Sequence, residues 1–343
     1  MIVDAHLDIA HNALDGGRGF EAPPAPGYLV SRPALAGAGV GLVLATIFCR
    51  PAGRDGQAGQ GRGYRTAGEA HFMARAQLGY YQAAGLELVR TRAELETYRH
   101  SWRPGRLAAV LLMEGADPVE SPAQLGWWAE RGVRVVGLSW SRTRYAGGTH
   151  APGGVTELGV RLLRAMRRRG LILDLSHLAD RALDDALELW KGPLVASHAN
   201  ARSVTGGQRE LPDPVLAELG RRGGVVGVSF YGAHLGVRRR PRLDDVATMA
   251  RALAEATGGP EHVGLGSDLD GGFGADRAPL DSLAGLPDLA RHLRRRFNAA
   301  QVEGIMGGNW LDLLGRALPL ASQPSTGSAV LPTSSRTGVR VRR

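Results

Sequence analysis

MIVDAHLD, residues 1–8, is a short apolar run that ends in His6 and Asp8, and the fold turns on how often that pattern returns. Other apolar runs end the same way: LAAVLLMEGAD (107–117) at Glu114, LILDLSH (171–177) at His177, PLVASH (193–198) at His198 and HVGLGSDLDG (262–271) at Asp268. One histidine at a strand end is most often a satisfied structural residue. Metal-compatible side chains at the ends of five separate runs imply a shared rim. In a parallel barrel or an open α/β sheet, the C-terminal ends of the strands form the active face. The donors are imidazole and carboxylate with no thiolate, a set that suits a hydrolytic centre of two zinc ions or similar divalent cations.

Working outward, apolar runs of strand length recur near 1–6, 40–48, 107–113, 133–138, 171–176, 193–197, 223–230 and 262–267. Several are continuous rather than alternating, as expected of parallel strands buried on both faces. Helix-like segments lie between them at 67–86, 91–99, 121–131, 155–169, 179–190, 212–221 and 242–257, with two more near 286–296 and 298–317. The clearest stripe is VTELGVRLLRAMRRR (155–169), where Leu158, Leu162, Leu163 and Met166 share a face, Thr156 is placed to cap the start and Gly170 to end it. Eight strands alternating with helices predict an α/β fold, a TIM-type (β/α)8 barrel with the metal site at the strand C-termini; a doubly wound open sheet is the alternative. The barrel is expected over 1–318 as a single domain. Residues 319–343, rich in Ser, Pro, Thr and Arg, read as a disordered tail, and the Gly- and Arg-rich stretch 50–66 as a lid or a plain surface loop.

Composition narrows the function classes. The chain has 343 residues with 43% hydrophobic content, ordinary for a soluble globule, and 49 glycines that suit many tight strand–helix turns. Cys49 is the only cysteine, so an internal disulfide and a cysteine-based metal cluster are both excluded. The formal charge is +9, but Lys191 is the only lysine, and the arginine clusters 167–169, 238–240 and 294–296 lie at or near helix ends. Such clusters fit solvated faces at the negative end of the helix dipole. No basic stretch is interleaved with aromatics, so no nucleic-acid partner is expected. No apolar run reaches the ~18 residues of a membrane span, and the first strand leaves no room for a leader, so no membrane partner and a cytoplasmic location are expected. A homodimer is the one protein assembly left open.

Spacing refines the metal constellation. His6 and Asp8, at i and i+2 on a strand, project from one face and can reach one ion. Asp4 shares their parity but lies a layer deeper, as a hydrogen-bonding core residue. Glu114 is followed by Gly115, which permits a sharp turn, and one glutamate can bridge two cations with its two oxygens. His177 and His198 would complete the shell of the second ion, and Asp268 could contact the metal-bound water. Lys191 precedes the sixth strand rather than ending one, so a carboxylated-lysine bridge is unavailable and Glu114 must take that role. The remaining histidines read as structural, with His11 a candidate to line the pocket.

Taken in order, DAHLD, MEG (113–115), DLSH (174–177), SHAN (197–200), ARSVTGGQRELPD (201–213), GSDLDG (266–271) and GGNWLDLL (307–314) resemble the membrane (renal) dipeptidase family of zinc metallopeptidases, as a soluble bacterial-type member. The resemblance spans most of 1–318. It implies a (β/α)8 barrel with two Zn2+ ions, one held by His6, Asp8 and Glu114 and the other by Glu114, His177 and His198. It further implies that Asp268 is the catalytic acid/base and that Arg209 binds the carboxylate of a dipeptide, a task suited to a guanidinium fork. The sequence departs from the family at Trp140, in GLSW (137–140), where the best-known members carry a histidine that contacts the substrate. An indole donates one hydrogen bond but carries no proton or charge, which puts oxyanion stabilisation and the choice of substrate in question. His150, in the same loop, is a candidate substitute.

The expected activity is zinc-dependent hydrolysis of dipeptides, with a hydroxide bridging two cations ~3.5–4 Å apart. Asp268 would move the proton, and Arg209 would restrict the enzyme to short peptides. A hydrolase of the same metal type acting on another amide or a lactone is the nearest alternative. A non-catalytic binding barrel is disfavoured, because every expected ligand is present.

Overall fold

The computed structural model describes residues 1–53 and 63–320. Eight strands form a parallel ring: β1 (Ile2–Leu7), β2 (Val40–Phe48), β3 (Ala108–Glu114), β4 (Val133–Gly137), β5 (Ile172–Asp174), β6 (Leu194–Val195), β7 (Val226–Val228) and β8 (Val263–Leu265). Hydrogen-bonded neighbours run β7–β8–β1–β2–β3–β4–β5–β6, and a short strand Glu87–Leu88 adds to β3 from outside this path. Between β6 and β7 the ring is joined by a parallel bridge at Ala196 and Val226. There Ala196 N–H donates to Val225 O (3.0 Å) and Gly227 N–H to Ala196 O (2.8 Å). The fold is therefore the (β/α)8 arrangement expected from the sequence, and the alternative of an open sheet is set aside.

The continuous apolar strands are buried throughout: every residue of β2, β3 and β4 is buried. On β3, Ala108, Val110 and Leu112 have the parity of Glu114 and pack beneath it with Leu42 and Leu44 of β2. That layer is the apolar floor on which the polar rim stands. The outer helices keep their stripes. In the helix Glu157–Arg168, Leu162, Leu163 and Met166 are buried, Thr156 accepts the Gly159 N–H at 3.1 Å, and the chain leaves through Gly170 at φ 61°.

Several elements differ from the sequence expectation. The segment 298–317 is two helices, Ala299–Glu303 and Asn309–Ala317, joined by a wider π-helical turn at Gly304–Gly308. A Cβ on Gly307 would come within 2.7 Å of Met1 O, so this backbone closes on β1 only as glycine. The next two residues hold β8: Asn309 Nδ2 donates to Pro260 O (2.8 Å) and Val263 O (2.7 Å), and Trp310 Nε1 to Leu265 O (2.9 Å). The segment 286–296 shortens to a helix at Leu289–Leu293 behind a 3-10 turn containing Pro287, which lacks the N–H that would extend it. Short helices at Ile9–Leu14, Arg32–Gly37 and Arg202–Thr205, and a hairpin of Ala146–Gly148 with Ala151–Val155, were not anticipated; all are too short for a period to register. Of the stretch 50–66, residues 54–62 lie outside the described residues. Its two feet are paired, Tyr64 N–H donating to Arg50 O (2.9 Å) and Ala52 N–H to Tyr64 O (2.8 Å). The expected tail likewise lies outside the described residues from 321 onward. Among the described residues, no helix is long and apolar enough to cross a membrane.

Candidate metal centre

The strand-end residues predicted from sequence meet in one buried cluster. His6 lies on β1 and Asp8 just past its end. Glu114 is the last residue of β3, and His177, His198 and Asp268 each follow a strand end by three positions. Glu114 divides its oxygens between two groups of histidines. Oε2 is 3.4 Å from His6 Nε2, while Oε1 is 2.9 Å from His177 Nε2 and 3.5 Å from His198 Nε2. His177 and His198 bring their Nε2 atoms within 2.9 Å of each other. His6 Nε2 is 4.0 Å from Asp8 Oδ1. Two triads, His6–Glu114–His198 and His6–Asp8–Asp268, each offer donor atoms lying within 4.8 Å of one another. Asp268, expected to act on a proton, thus sits among the same donors as the expected ligands.

The faces turned away from the cluster are tied down, as ligating histidines require. Ser197 Oγ is 3.0 Å from His6 Nδ1 and 2.9 Å from His198 Nδ1. Thr149, at the tip of the hairpin, places Oγ1 2.9 Å from His177 Nδ1. Thr46 of β2 donates to Asp8 Oδ1. Two buried aspartates clamp neighbouring strands in one pattern. Asp4 Oδ1 accepts the N–H groups of His6 (3.3 Å) and Ser267 (2.8 Å), and its Oδ2 accepts the Ser267 hydroxyl. Asp174 Oδ1 accepts those of Ser176 (3.0 Å) and Ser197 (2.9 Å), and its Oδ2 the Ser197 hydroxyl at 2.6 Å. Asp4 is the hydrogen-bonding core residue that its depth on the strand implied. Ser197, Asp174, Thr149 and Thr46 were not picked out from sequence. The available signal was that Ser directly precedes His177, His198 and Asp268 alike.

The electrostatics call for a cation. Asp8, Glu114 and Asp268 are buried together. Burial opposes the charge of Asp268 and, with nearby Asp8 and Glu114, holds its carboxyl well above the usual range despite the opposing pull of His6. Asp8 is raised by burial and by Glu114. Burial disfavours a charged His6, but Glu114, Asp8 and Asp268 outweigh it and push the imidazole up to about 10. Burial works against ionised Glu114 as well, yet the His6 charge and the His177 hydrogen bond hold it below the usual carboxylate range. Burial and the Arg209 charge lower His177 to about 3; burial, His6 and Arg209 keep His198 neutral. Neutral imidazoles and carboxylates are the forms that bind a metal, so a cation entering the cluster would take the place of the proton that the carboxylates hold on His6. His6 Nε2 is buried and finds no hydrogen-bond partner among the described residues. An orphaned imidazole nitrogen amid three buried carboxylates fits a divalent cation in both donor chemistry and charge.

The rim is held in unusual backbone. His177 (φ 67°) and Asp268 (φ 57°) both adopt the left-handed region, which is uncommon outside glycine and tends to mark functional positions. Gly115 (φ 82°) supplies the expected turn after Glu114. A Cβ on Gly271 would fall 1.8 Å from Asp268 Oδ1, so the GSDLDG turn wraps that carboxylate only with glycine there.

Arg209 reaches the cluster: Nη2 donates to His198 O (2.7 Å) and lies 3.2 Å from His177 Nε2. Its Nε and Nη1 are buried without a partner among the described residues. Trp140 belongs to a wall of rings running from His11 through Phe48 (4.9 Å) and Trp140 (5.3 Å) to His177 (6.0 Å). His11 therefore stands at the far end of the line of rings that reaches His177. His150 is exposed at the hairpin tip, and its neighbour Thr149 makes the contact to the centre. His234, read as structural, lies 3.2 Å from Ser229 Oγ and 3.9 Å from buried Glu210.

This arrangement has known counterparts. The sequence pattern of the membrane dipeptidase family (peptidase family M19) matches residues 1–325. The chain belongs to that family. An uncharacterized dipeptidase of Schizosaccharomyces pombe is 34% identical over 225 residues, covering 60% of this chain and 52% of the relative. A dipeptidase of Clonostachys rogersoniana is 31% identical over 236 residues, covering 67% and 59%. The chain thus spans between half and three fifths of these curated relatives. Among solved structures, family M19 dipeptidase AC, a metallopeptidase, superposes with a TM-score of 0.81 at 26% identity, covering 92% of this chain and 98% of that one. A metallopeptidase of Rhodobacter sphaeroides, liganded with a phosphinate mimic of the dipeptide L-Ala-D-Ala, gives the same TM-score and identity and covers 92% and 99%. Membership of this metallopeptidase family agrees with the donor set built above.

Proposed function

We propose that the chain is a zinc dipeptidase in which His6, Asp8 and Glu114 hold one ion and Glu114, His177 and His198 the other. The observation that carries this reading is the division of Glu114, with one oxygen toward His6 and the other toward His177 and His198. When bound, two zinc ions would lower the pKa of a shared water and polarise the scissile carbonyl. Asp268, buried beside the proposed ligands, would as a carboxylate take a proton from the water and return it to the leaving amine. Arg209 would bind the substrate's C-terminal carboxylate through donors that have no protein partner. The phosphinate dipeptide mimic bound by the R. sphaeroides relative supports a dipeptide substrate and makes L-Ala-D-Ala the first to try. The proposal includes one catalytic domain over 1–318, working in the cytoplasm, with a homodimer as its one candidate assembly. Elemental analysis combined with a dipeptide library tests it. Two zinc ions per chain and dipeptide turnover are expected; at most one ion after zinc addition, or a preference for cyclic amides or lactones, would overturn it.

A further inference from the structure

Ser197 touches the side chains of two proposed ligands, one from each half of the centre. Its Oγ contacts Asp174 Oδ2 (2.6 Å), His198 Nδ1 (2.9 Å) and His6 Nδ1 (3.0 Å), and it is fully buried. A serine hydroxyl has one proton and two lone pairs. Asp174 is ringed by donors: its Oδ1 takes the N–H groups of Ser176 and Ser197, and its Oδ2 takes the serine proton. Two lone pairs then remain for two histidines. Each imidazole must carry hydrogen at Nδ1 to use them, so the proton that leaves either ring to make room for a cation is the one at Nε2, on the side of the cluster. Ser176 Oγ, at a longer 3.3 Å from Ser197 Oγ, accepts the His198 N–H (3.2 Å) and steadies the same turn.

We propose that Ser197, oriented by Asp174, is a positioning residue that fixes the Nδ1–H form of His6 and His198 together, so that one hydroxyl readies both halves of the metal centre. This rests on the two-ion assignment above, in which His6 serves one ion and His198 the other. Asp174→Asn is the sharpest probe because it is nearly isosteric. The new amide must turn its oxygen toward the two backbone N–H groups at the Oδ1 position, which leaves its NH2 facing Ser197 Oγ. The hydroxyl must then accept from the amide and donate to one histidine, driving that ring to the Nε2–H form that cannot ligate.

Zinc affinity, measured by competition with a chromophoric chelator, and imidazole 15N spectra, read for His198 in the metal-free protein and for both rings in the zinc-loaded protein, test this without an activity assay. Asp174→Asn should weaken one of two zinc ions by ~10–100-fold, the range seen when the outer partner of a ligand is lost. It should also shift one histidine toward Nε2–H. Ser197→Ala should weaken both ions, and the double variant should bind no worse than Ser197→Ala alone, because Asp174 acts through the serine proton. A purely structural role for Asp174 would make the losses additive and leave the nitrogen spectra unchanged. Wild-type affinity for both ions in Asp174→Asn, or wild-type His198 spectra showing Nε2–H, would overturn the proposal. If the wild type binds fewer than two ions, the two-ion assignment fails by itself, and the nitrogen spectra still decide the role of Ser197. If Ser197→Ala does not fold, Asp174→Asn carries the test.

Discussion

Replacing Arg209 with Met removes the charge while keeping an unbranched chain, and the structure sets what should be lost. Arg209 Nη2 is spent on His198 O (2.7 Å) and faces His177 Nε2 (3.2 Å), whereas Nε and Nη1 are buried and unpartnered. A substrate carboxylate that satisfies these donors makes charge-assisted bonds worth about 1.5–3 kcal/mol each. Truncating one side of a desolvated charge pair costs about 2–5 kcal/mol. The arginine is half-buried, so the lower part of that range applies. At about 1.4 kcal/mol per tenfold, the full range is roughly 30- to 4,000-fold in kcat/KM. The assay compares one dipeptide with its C-terminal amide in wild type and Arg209→Met, with zinc content checked in both. The wild type should prefer the free acid, and the variant should lose rate on the acid while changing little on the amide. Arg209→Lys, which keeps the charge without the planar fork, should fall between them. Equal wild-type rates on acid and amide would refute the assignment. So would an equal loss on both substrates in the variant, which would assign Arg209 to holding His198 alone.

Asp268→Asn should retain metal and fold but lower turnover by ~10²–10⁴-fold, since the amide cannot take a proton; turnover near wild type at full metal content would move that role elsewhere. Glu114→Ala should lose both ions in elemental analysis, because the cations would lack their shared anion, and retention of one ion would count against a bridge. Chelation should lower thermal stability, and zinc returned at ~100 times its Kd should restore about 2.7 kcal/mol; an unchanged melting curve would mean that no ion binds the folded state preferentially. Trp140→His should extend cleavage to bulkier dipeptides, because a smaller ring would replace the indole packed edge-on to Phe48 and facing His177; an unaltered substrate profile would remove Trp140 from the pocket wall.

The barrel was legible because its strands are long enough, and apolar enough, to register as runs. The first three, β1 to β3, together with β4, fall at 2–7, 40–48, 108–114 and 133–137, within a residue or two of the runs read from sequence. Later strands are shorter than the runs that signalled them: β6 is only Leu194–Val195 within the apolar run 193–197. The break in 298–317 was hidden because helix periodicity continues through GIMGG; its cause is the approach of Gly307 to Met1 and Val3, a contact between the two ends of the domain.

The candidate site was legible to a different depth. Ligand-type residues stand out because histidine and carboxylate are costly to bury without a reason, so six of them at the ends of five apolar runs is itself a signal. Serine and threonine carry no such signal, because they are common at turns on their own account. Ser197 holds its place only through a chain of contacts reaching Asp174, 23 positions earlier, and His6, 191 positions earlier. Asp174 has the same parity on β5 as Ile172, and in sequence it could have been read as one more ligand of the run LILDLSH. What separates it from a ligand is that its carboxylate is already filled, accepting two backbone N–H groups and a hydroxyl. Glu114 is the opposite case, since its oxygens face imidazole nitrogens on both sides and no backbone N–H among the described residues satisfies them. Sequence can nominate acids at a rim; whether an acid receives the protein's own donors or stands ready for a cation is decided by which strands the barrel brings beside it.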